Sequence, residues 1–164
     1  MKTFLQYLSE AKLSRKYVCV KYNATTQKKL RDWCQDNDFN LAVGFKGREQ
    51  NPEDFTFHTT IFYSENRLDL APTKKDSSGS VKVVGIKLLG EDSDIPVLGI
   101  QSDDIQKLRK EYDDLGLKDK WPDYIPHISV SYERKQYDLS KIQLPTFNLI
   151  FDELVIEDIQ EDGV

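Results

Sequence analysis

The order strand, helix, histidine-bearing strand runs along this chain twice. That repeat confines the fold to a mixed α+β plan of two related halves. In the first half, residues 17–22 are mostly apolar β-formers and predict a buried strand. Asn23 or Thr25 then caps a helix running to about residue 37, with Leu30, Trp33 and Cys34 on one face. An irregular stretch with Gly44, Gly47 and Pro52 leads to a strand over residues 55–63, and the polar run 64–80 predicts a flexible crossover. In the second half, residues 81–89 and 95–100 predict strands joined as a hairpin across Gly90-Glu91-Asp92. Ser102 reads as an N-cap, with Asp103 and Asp104 where the helix dipole favours acids. Ile105, Leu108, Tyr112 and Leu115 form the apolar stripe of that helix, and Gly116 supplies its stop. The second histidine strand follows, and a strand over residues 147–156 completes the plan.

The chain has two histidines, and each opens a His-x-hydroxyl tripeptide. His58-Thr59-Thr60 continues as Ile61-Phe62-Tyr63, and His127-Ile128-Ser129 continues as Val130-Ser131-Tyr132. Alternate side chains of a strand share a face, so His58 points with Thr60, and His127 with Ser129. Side by side, such strands bring two imidazoles and two hydroxyls to one patch. Imidazole titrates near neutrality, so one neutral and one protonated ring can serve as base and acid when an internal 2′-hydroxyl attacks a phosphodiester. Thr60 and Ser129 can then donate hydrogen bonds to the non-bridging phosphate oxygens, where charge must be stabilised. A lone strand histidine is usually structural. A matched pair that exhausts the histidine supply favours catalysis, without saying which ring is acid and which is base.

The scheme requires no metal and no other cofactor. Asp54 and Asp123 are the nearest acidic neighbours in sequence, and neither sits at a ligand spacing from its histidine. Walker-type and Gly-rich dinucleotide loops are missing. With 164 residues, 38% hydrophobic and 31% charged, the chain is expected to form one globular domain. A net charge of −5 disfavours duplex nucleic acid as a partner. No stretch reaches the length of a membrane span. Cys19 and Cys34 sit in apolar patterns and read as buried thiols of a reducing compartment.

The paired motifs resemble those of the two-histidine phosphoesterase superfamily, which includes 2′,5′ RNA ligase-like enzymes and cyclic phosphodiesterases. The resemblance covers residues 16–159. It implies a bilobal fold with two pseudo-symmetric antiparallel sheets flanked by helices, the motifs facing each other across a cleft. The stretch Trp121-Pro122-Asp123-Tyr124-Ile125-Pro126-His127-Ile128-Ser129-Val130-Ser131-Tyr132 and the compact size are similar to the phage anti-CBASS nucleases. That likeness implies hydrolysis of the cyclic di- and trinucleotides that bacteria use as an alarm, in the host cytoplasm. Ser129 departs from the commoner threonine, keeping the hydroxyl and losing a methyl.

Tyr22, Phe62, Trp121 and Tyr124 flank the motifs as candidates for stacking on nucleobases. The competing reading places most of them in the core or cleft wall, leaving one or two of the four for ligand. Lys21, Lys46, Arg48 and Arg67 are candidates for phosphate contact. The chain from Asp152 onward carries six carboxylates and no basic residue, and should repel long polyanions.

Residues 1–15 form a segment of their own before the domain of residues 16–164. Phe4, Leu5, Leu8 and Leu13 stand at roughly helical spacing there. The opening also resembles the capsid-targeting peptides of T-even-type phage internal proteins. That resemblance implies cutting by a phage head protease after Glu10, and packaging in the phage head. Three readings follow for the whole chain: a phosphodiesterase for cyclic oligonucleotides, an enzyme for 2′,5′ linkages or RNA termini, and a non-catalytic nucleotide-binding or internal capsid protein.

Overall fold

The computed structural model describes residues 13–121 and 123–159. Most of the expected amino-terminal segment, its cleavage position at Glu10 and the last residues of the acidic tail lie outside them. Residues 14 and 15 belong to the first strand.

Among the described residues, six strands and two helices make up the frame. In chain order they are β1 (Ser14–Tyr22), α1 (Ala24–Asp36), β2 (His58–Leu68), β3 (Thr73–Leu89), β4 (Ile95–Gln101), α2 (Asp103–Asp114), β5 (His127–Ser129) and β6 (Leu149–Asp158). Short 3-10 turns occupy Phe45–Gly47 and Pro52–Asp54. The strands form one antiparallel sheet in the order β2-β1-β6-β3-β4-β5. Two separate sheets were expected; a single long strand joins the halves instead. Residues 73–81 of β3 pair with β6, and residues 82–89 pair with β4.

That strand also replaces most of the expected flexible crossover, because β2 runs on to Leu68 and β3 begins at Thr73. The first half of β3 pairs on one side only, and its side chains are largely exposed. A half-paired strand wet on both faces has no apolar alternation to show, and lysines and serines suit such an edge. Gly79 is required where β3 crosses β6, since a Cβ there would lie 2.1 Å from Cζ of Phe151.

Local signals set the helix ends. The Asn23 side chain accepts from the Thr26 amide at 2.9 Å and caps α1. Ser102 caps α2 by accepting from the Ile105 amide at 3.1 Å, and its hydroxyl donates to the Ser80 carbonyl at 2.6 Å, fastening the helix to β3. Gly116 (φ 102°) ends α2 in a left-handed turn. The Gly116 amide donates to Asp113 and the Leu117 amide to Tyr112, so the last carbonyls are satisfied. This turn corrects the expected stripe. Leu115 is 57% exposed, and Leu117, beyond the turn, takes the core position.

Leu30 and Cys34 of α1, Ile105 and Tyr112 of α2, and Val18, Val20, Ile61, Ile128, Leu149, Phe151 and Leu154 of the sheet share one apolar cluster. The helices therefore cover one face of the sheet. Cys19 and Cys34 are both buried and unbridged. The expected strand at 55–63 starts three residues late, because Phe55 and Phe57 reach the core from irregular chain. The second histidine strand is cut to three residues, followed by a non-strand segment that packs Tyr132, Tyr137, Leu139 and Ile142 against the same cluster.

Candidate functional site

His58 and His127 each begin a sheet-edge strand, and those two outermost strands approach each other. Thr59 and Ile128, the middle residues of the two tripeptides, are fully buried on the helix side. Their neighbours His58, Thr60, His127 and Ser129 are half-buried on the opposite face, as strand alternation requires. The Thr59 hydroxyl donates to the His127 carbonyl at 3.0 Å and couples the edges from below. Its own oxygen lies 2.8 Å from the Tyr22 hydroxyl. With the Thr59 proton committed to a carbonyl, Tyr22 is the donor in that second bond.

Both imidazoles are held in the same way. Nδ1 of His58 lies 3.2 Å from the Thr56 carbonyl, and Nδ1 of His127 lies 2.7 Å from the Ile125 carbonyl. A carbonyl only accepts, so each Nδ1 carries the proton and each Nε2 is the basic nitrogen. Burial lowers the pKa of His58 below its ordinary value; the charges of Lys21 and His127 add to this, while the bond to Thr56 opposes it. Burial lowers His127 too, with Lys87 adding to it and the bond to Ile125 opposing it. Both rings are therefore biased toward the neutral form at pH 7.

The two motif hydroxyls also have matching partners. The Thr60 hydroxyl lies 2.8 Å from that of Tyr17, and Tyr132 stands near enough to Ser129 to feel its hydroxyl. Burial raises the pKa of both tyrosines, so they stay protonated and able to donate. Each half thus carries an imidazole locked through Nδ1 and an alcohol with a phenol beside it.

The surroundings of the rings differ. Sheet register puts Lys21, Glu153 and Asp76 in one row with His58. The corresponding row from His127 contains Gly99 and Gly85, where the strands present bare backbone. A Cβ built at Gly85 would meet nothing within 4 Å. A pocket of about 260 Å³ borders the His58 side, lined by Lys21, Gln27, Arg31, Thr56, Asp152 and Glu153 among others. Among the described residues no group of three or more His, Cys, Asp or Glu side chains is placed to hold a metal ion. No helix among them is long and apolar enough to cross a membrane.

The family description "anti-CBASS protein Acb1" matches residues 14–164. The chain belongs to the Acb1 family. It is thus an anti-CBASS phage protein, acting in the interaction between virus and host. No curated protein matches it.

Four aromatics of this Acb1-family chain were candidates for base stacking, and two are corrected. Tyr22 is 3% exposed and Phe62 2% exposed; both belong to the core and offer no face to a ligand. Tyr22 is there to donate to Thr59. Phe62 falls at a bulge in β2, where Ile61 and Phe62 both turn inward opposite Val18. Tyr124 is half-buried, and its hydroxyl donates to the Thr60 carbonyl at 2.8 Å. Trp121 is 56% exposed and packs its ring 5.3 Å from that of Tyr63. Of the basic candidates, Lys21 stands in register with His58, whereas Arg67 lies at the far end of β2, opposite Arg15. Lys46 sits on the turn at Phe45–Gly47 with its ammonium 5.8 Å from the Phe45 ring, and Arg48 caps that turn.

Sequence reasoning missed Tyr17, Tyr132 and Arg109. A signal for Tyr132 was present, because a tyrosine follows each motif hydroxyl at the third position: Tyr63 after Thr60 and Tyr132 after Ser129. The bulge breaks that equivalence, and Tyr17 on β1 takes up the bond to Thr60. Arg109 carried no such signal. Its guanidinium lies 3.9 Å from the ring centres of both Phe62 and Tyr124, and it bonds the Ile61 carbonyl at 2.7 Å and Asp119 at 2.5 Å. It locks α2 and the segment before His127 onto β2, which holds the backbone around Thr60.

Proposed function

We propose that this chain hydrolyses cyclic di- or trinucleotide signals as a phosphodiesterase, with His58 and His127 as the acid–base pair and Thr60 and Ser129 binding the phosphate. The observation that carries the reading is the matched tethering of the two rings by Nδ1, which leaves two Nε2 atoms free for proton transfer. One Nε2 takes the proton of the ribose 2′-hydroxyl as its oxygen bonds to phosphorus. The other, protonated once the anionic phosphate is seated, gives its proton to the departing 5′-oxygen as that P–O bond breaks. The ring opens to a linear oligonucleotide with a 2′,3′-cyclic phosphate and a free 5′-hydroxyl. The imidazole that gave up its proton then takes one from water as that water opens the cyclic phosphate. The other returns its proton to the departing ribose oxygen, which completes hydrolysis and resets both rings. Proton transfer from positioned groups of this kind contributes about 10²–10⁴-fold in rate.

In the same reading the two halves are pseudo-symmetric lobes sharing β3, and the substrate lies between their histidine edges. The bare strip at Gly85 and Gly99 gives it room beside His127, and Lys21 and Lys87 supply local positive charge to an acidic protein. No step in the scheme needs a metal.

The test is chromatography of products from a 3′,3′-linked cyclic dinucleotide incubated with purified protein in EDTA. The expected products are the linear dinucleotide ending first in a 2′,3′-cyclic phosphate and then in a phosphomonoester. A cyclic dinucleotide of 2′-deoxyribose should be inert, and its cleavage would sink the 2′-hydroxyl mechanism. Tight binding with no turnover of either would leave a nucleotide-sequestering protein.

A further inference from the structure

Four rings stand in succession from His58 toward solvent. The Tyr17 ring lies 6.4 Å from that of His58 and 6.2 Å from Tyr63, edge-on to both. Tyr63 lies 5.3 Å from Trp121. Tyr17 and Tyr63 are register partners, and Tyr63 falls on the same face of β2 as His58 and Thr60. The series therefore starts in the reaction site and ends on an indole that is 56% exposed.

Exposure of a large aromatic carries information when the residue is held in place. Trp121 is so held. The Lys120 amide donates to the Tyr63 carbonyl at 2.9 Å, Asp119 bridges to Ser64, and the Trp121 amide donates to the Asp119 carboxylate at 3.4 Å. Asp119 is anchored in turn by Arg109. The Lys120 ammonium hangs 5.7 Å from the Tyr63 ring and 5.4 Å from Trp121. A rigid aromatic platform with a cation at its rim is a surface for a base joined to a phosphate.

We propose that Tyr63, Trp121 and Lys120 form the seat of a second nucleotide of the substrate, the one whose phosphate is not being cut. The base stacks on Trp121, and Lys120 meets its phosphate. This rests on the phosphodiesterase reading and adds to it where the second nucleotide of the ring is held. From His58 to Tyr63 the strand advances roughly 15 Å at about 3.3 Å per residue. A base at Trp121 therefore belongs to a nucleotide other than the one at the scissile phosphate.

The experiment compares Trp121→Ala with wild type on two probes: a 3′,3′-linked cyclic purine dinucleotide, and a nucleoside 3′-(4-nitrophenyl phosphate), which the same 2′-hydroxyl attack cleaves with no second nucleotide. KM for the cyclic dinucleotide should rise about 5- to 100-fold, the loss of one base stack. The kcat/KM for the single-nucleotide probe should stay within about twofold. Equal losses on both probes, or no loss on either, would overturn the seat. Binding is read separately in Trp33→Phe protein, where Trp121 is the one remaining tryptophan. Quenching of its fluorescence by the dinucleotide without turnover would keep the seat and discard the phosphodiesterase reading. Turnover of the dinucleotide without quenching would do the reverse.

Discussion

The hydroxyl of Thr59 and the carbonyl of His127 meet at 3.0 Å across 68 positions of chain. Neither atom belongs to the proposed reacting set, yet their bond ties the two histidine strands together. Tyr22 donates to Thr59 from the core, so the chain Tyr22–Thr59–His127 ties β1, β2 and β5 together beneath the site.

Thr59→Val should therefore damage stability and turnover together. Removing the hydroxyl leaves the Tyr22 phenol buried without its acceptor, at a cost of about 1–3 kcal/mol. Urea unfolding should show that loss, and Thr59→Ser should restore most of it. A Thr59→Val protein of wild-type stability and rate would show that the bond is incidental.

His58→Ala and His127→Ala should each cut turnover by about 10²–10⁴-fold or more, because in the proposed scheme each removes one of two proton carriers. Circular dichroism should show an intact fold, since both rings are only half-buried. A single mutant of full activity would remove the acid–base pair.

Tyr17→Phe and Tyr132→Phe should lower kcat by about tenfold while leaving KM nearly unchanged. In each case the motif alcohol loses its neighbouring phenol, and in the proposed scheme the cost appears only when charge builds on phosphate. Steady-state kinetics on both variants check this. An unchanged kcat in the pair would make the phenols mere packing.

Arg109→Ala should destabilise the fold by about 3 kcal/mol, since it strands Asp119 in a largely covered site and opens the gap between Phe62 and Tyr124. Arg109→Lys should restore little, because an ammonium cannot lie flat between two rings while bonding both Ile61 and Asp119. Thermal unfolding of the two variants decides the point.

The pH dependence has a definite sign. Both imidazoles are lowered from 6.5 in the folded protein, so between the folded and unfolded values the unfolded chain binds more protons. Their contribution to stability is complete above about pH 6.5 and is lost as pH falls through that value toward the folded pKa. Urea midpoints taken across this range should fall on the acid side, and less steeply in the double variant His58→Ala, His127→Ala. The same shift places the acid limb of kcat/KM for free enzyme below pH 6.5.

The local rules of the chain were open to reading without coordinates. Alternation put His58 with Thr60 and His127 with Ser129, and Asn23, Ser102 and Gly116 set helix ends through bonds to residues three or four away. These depend on dihedral geometry and short-range hydrogen bonds, which sequence spacing encodes directly. Other features depended on which strands became neighbours. The polar residues of β3 form a strand because β6 offers them backbone partners, and nothing in their own pattern announces it. The bulge at Ile61 and Phe62 buried one expected stacking residue and moved the tyrosine contact of Thr60 from β2 to β1. Arg109 stands between Phe62 and Tyr124 only because a helix, a strand and a loop distant in sequence pack together. Pairing energy accrues between segments, so the tyrosine and arginine supports of the site were settled by the fold, while the four groups they support were already marked along the chain.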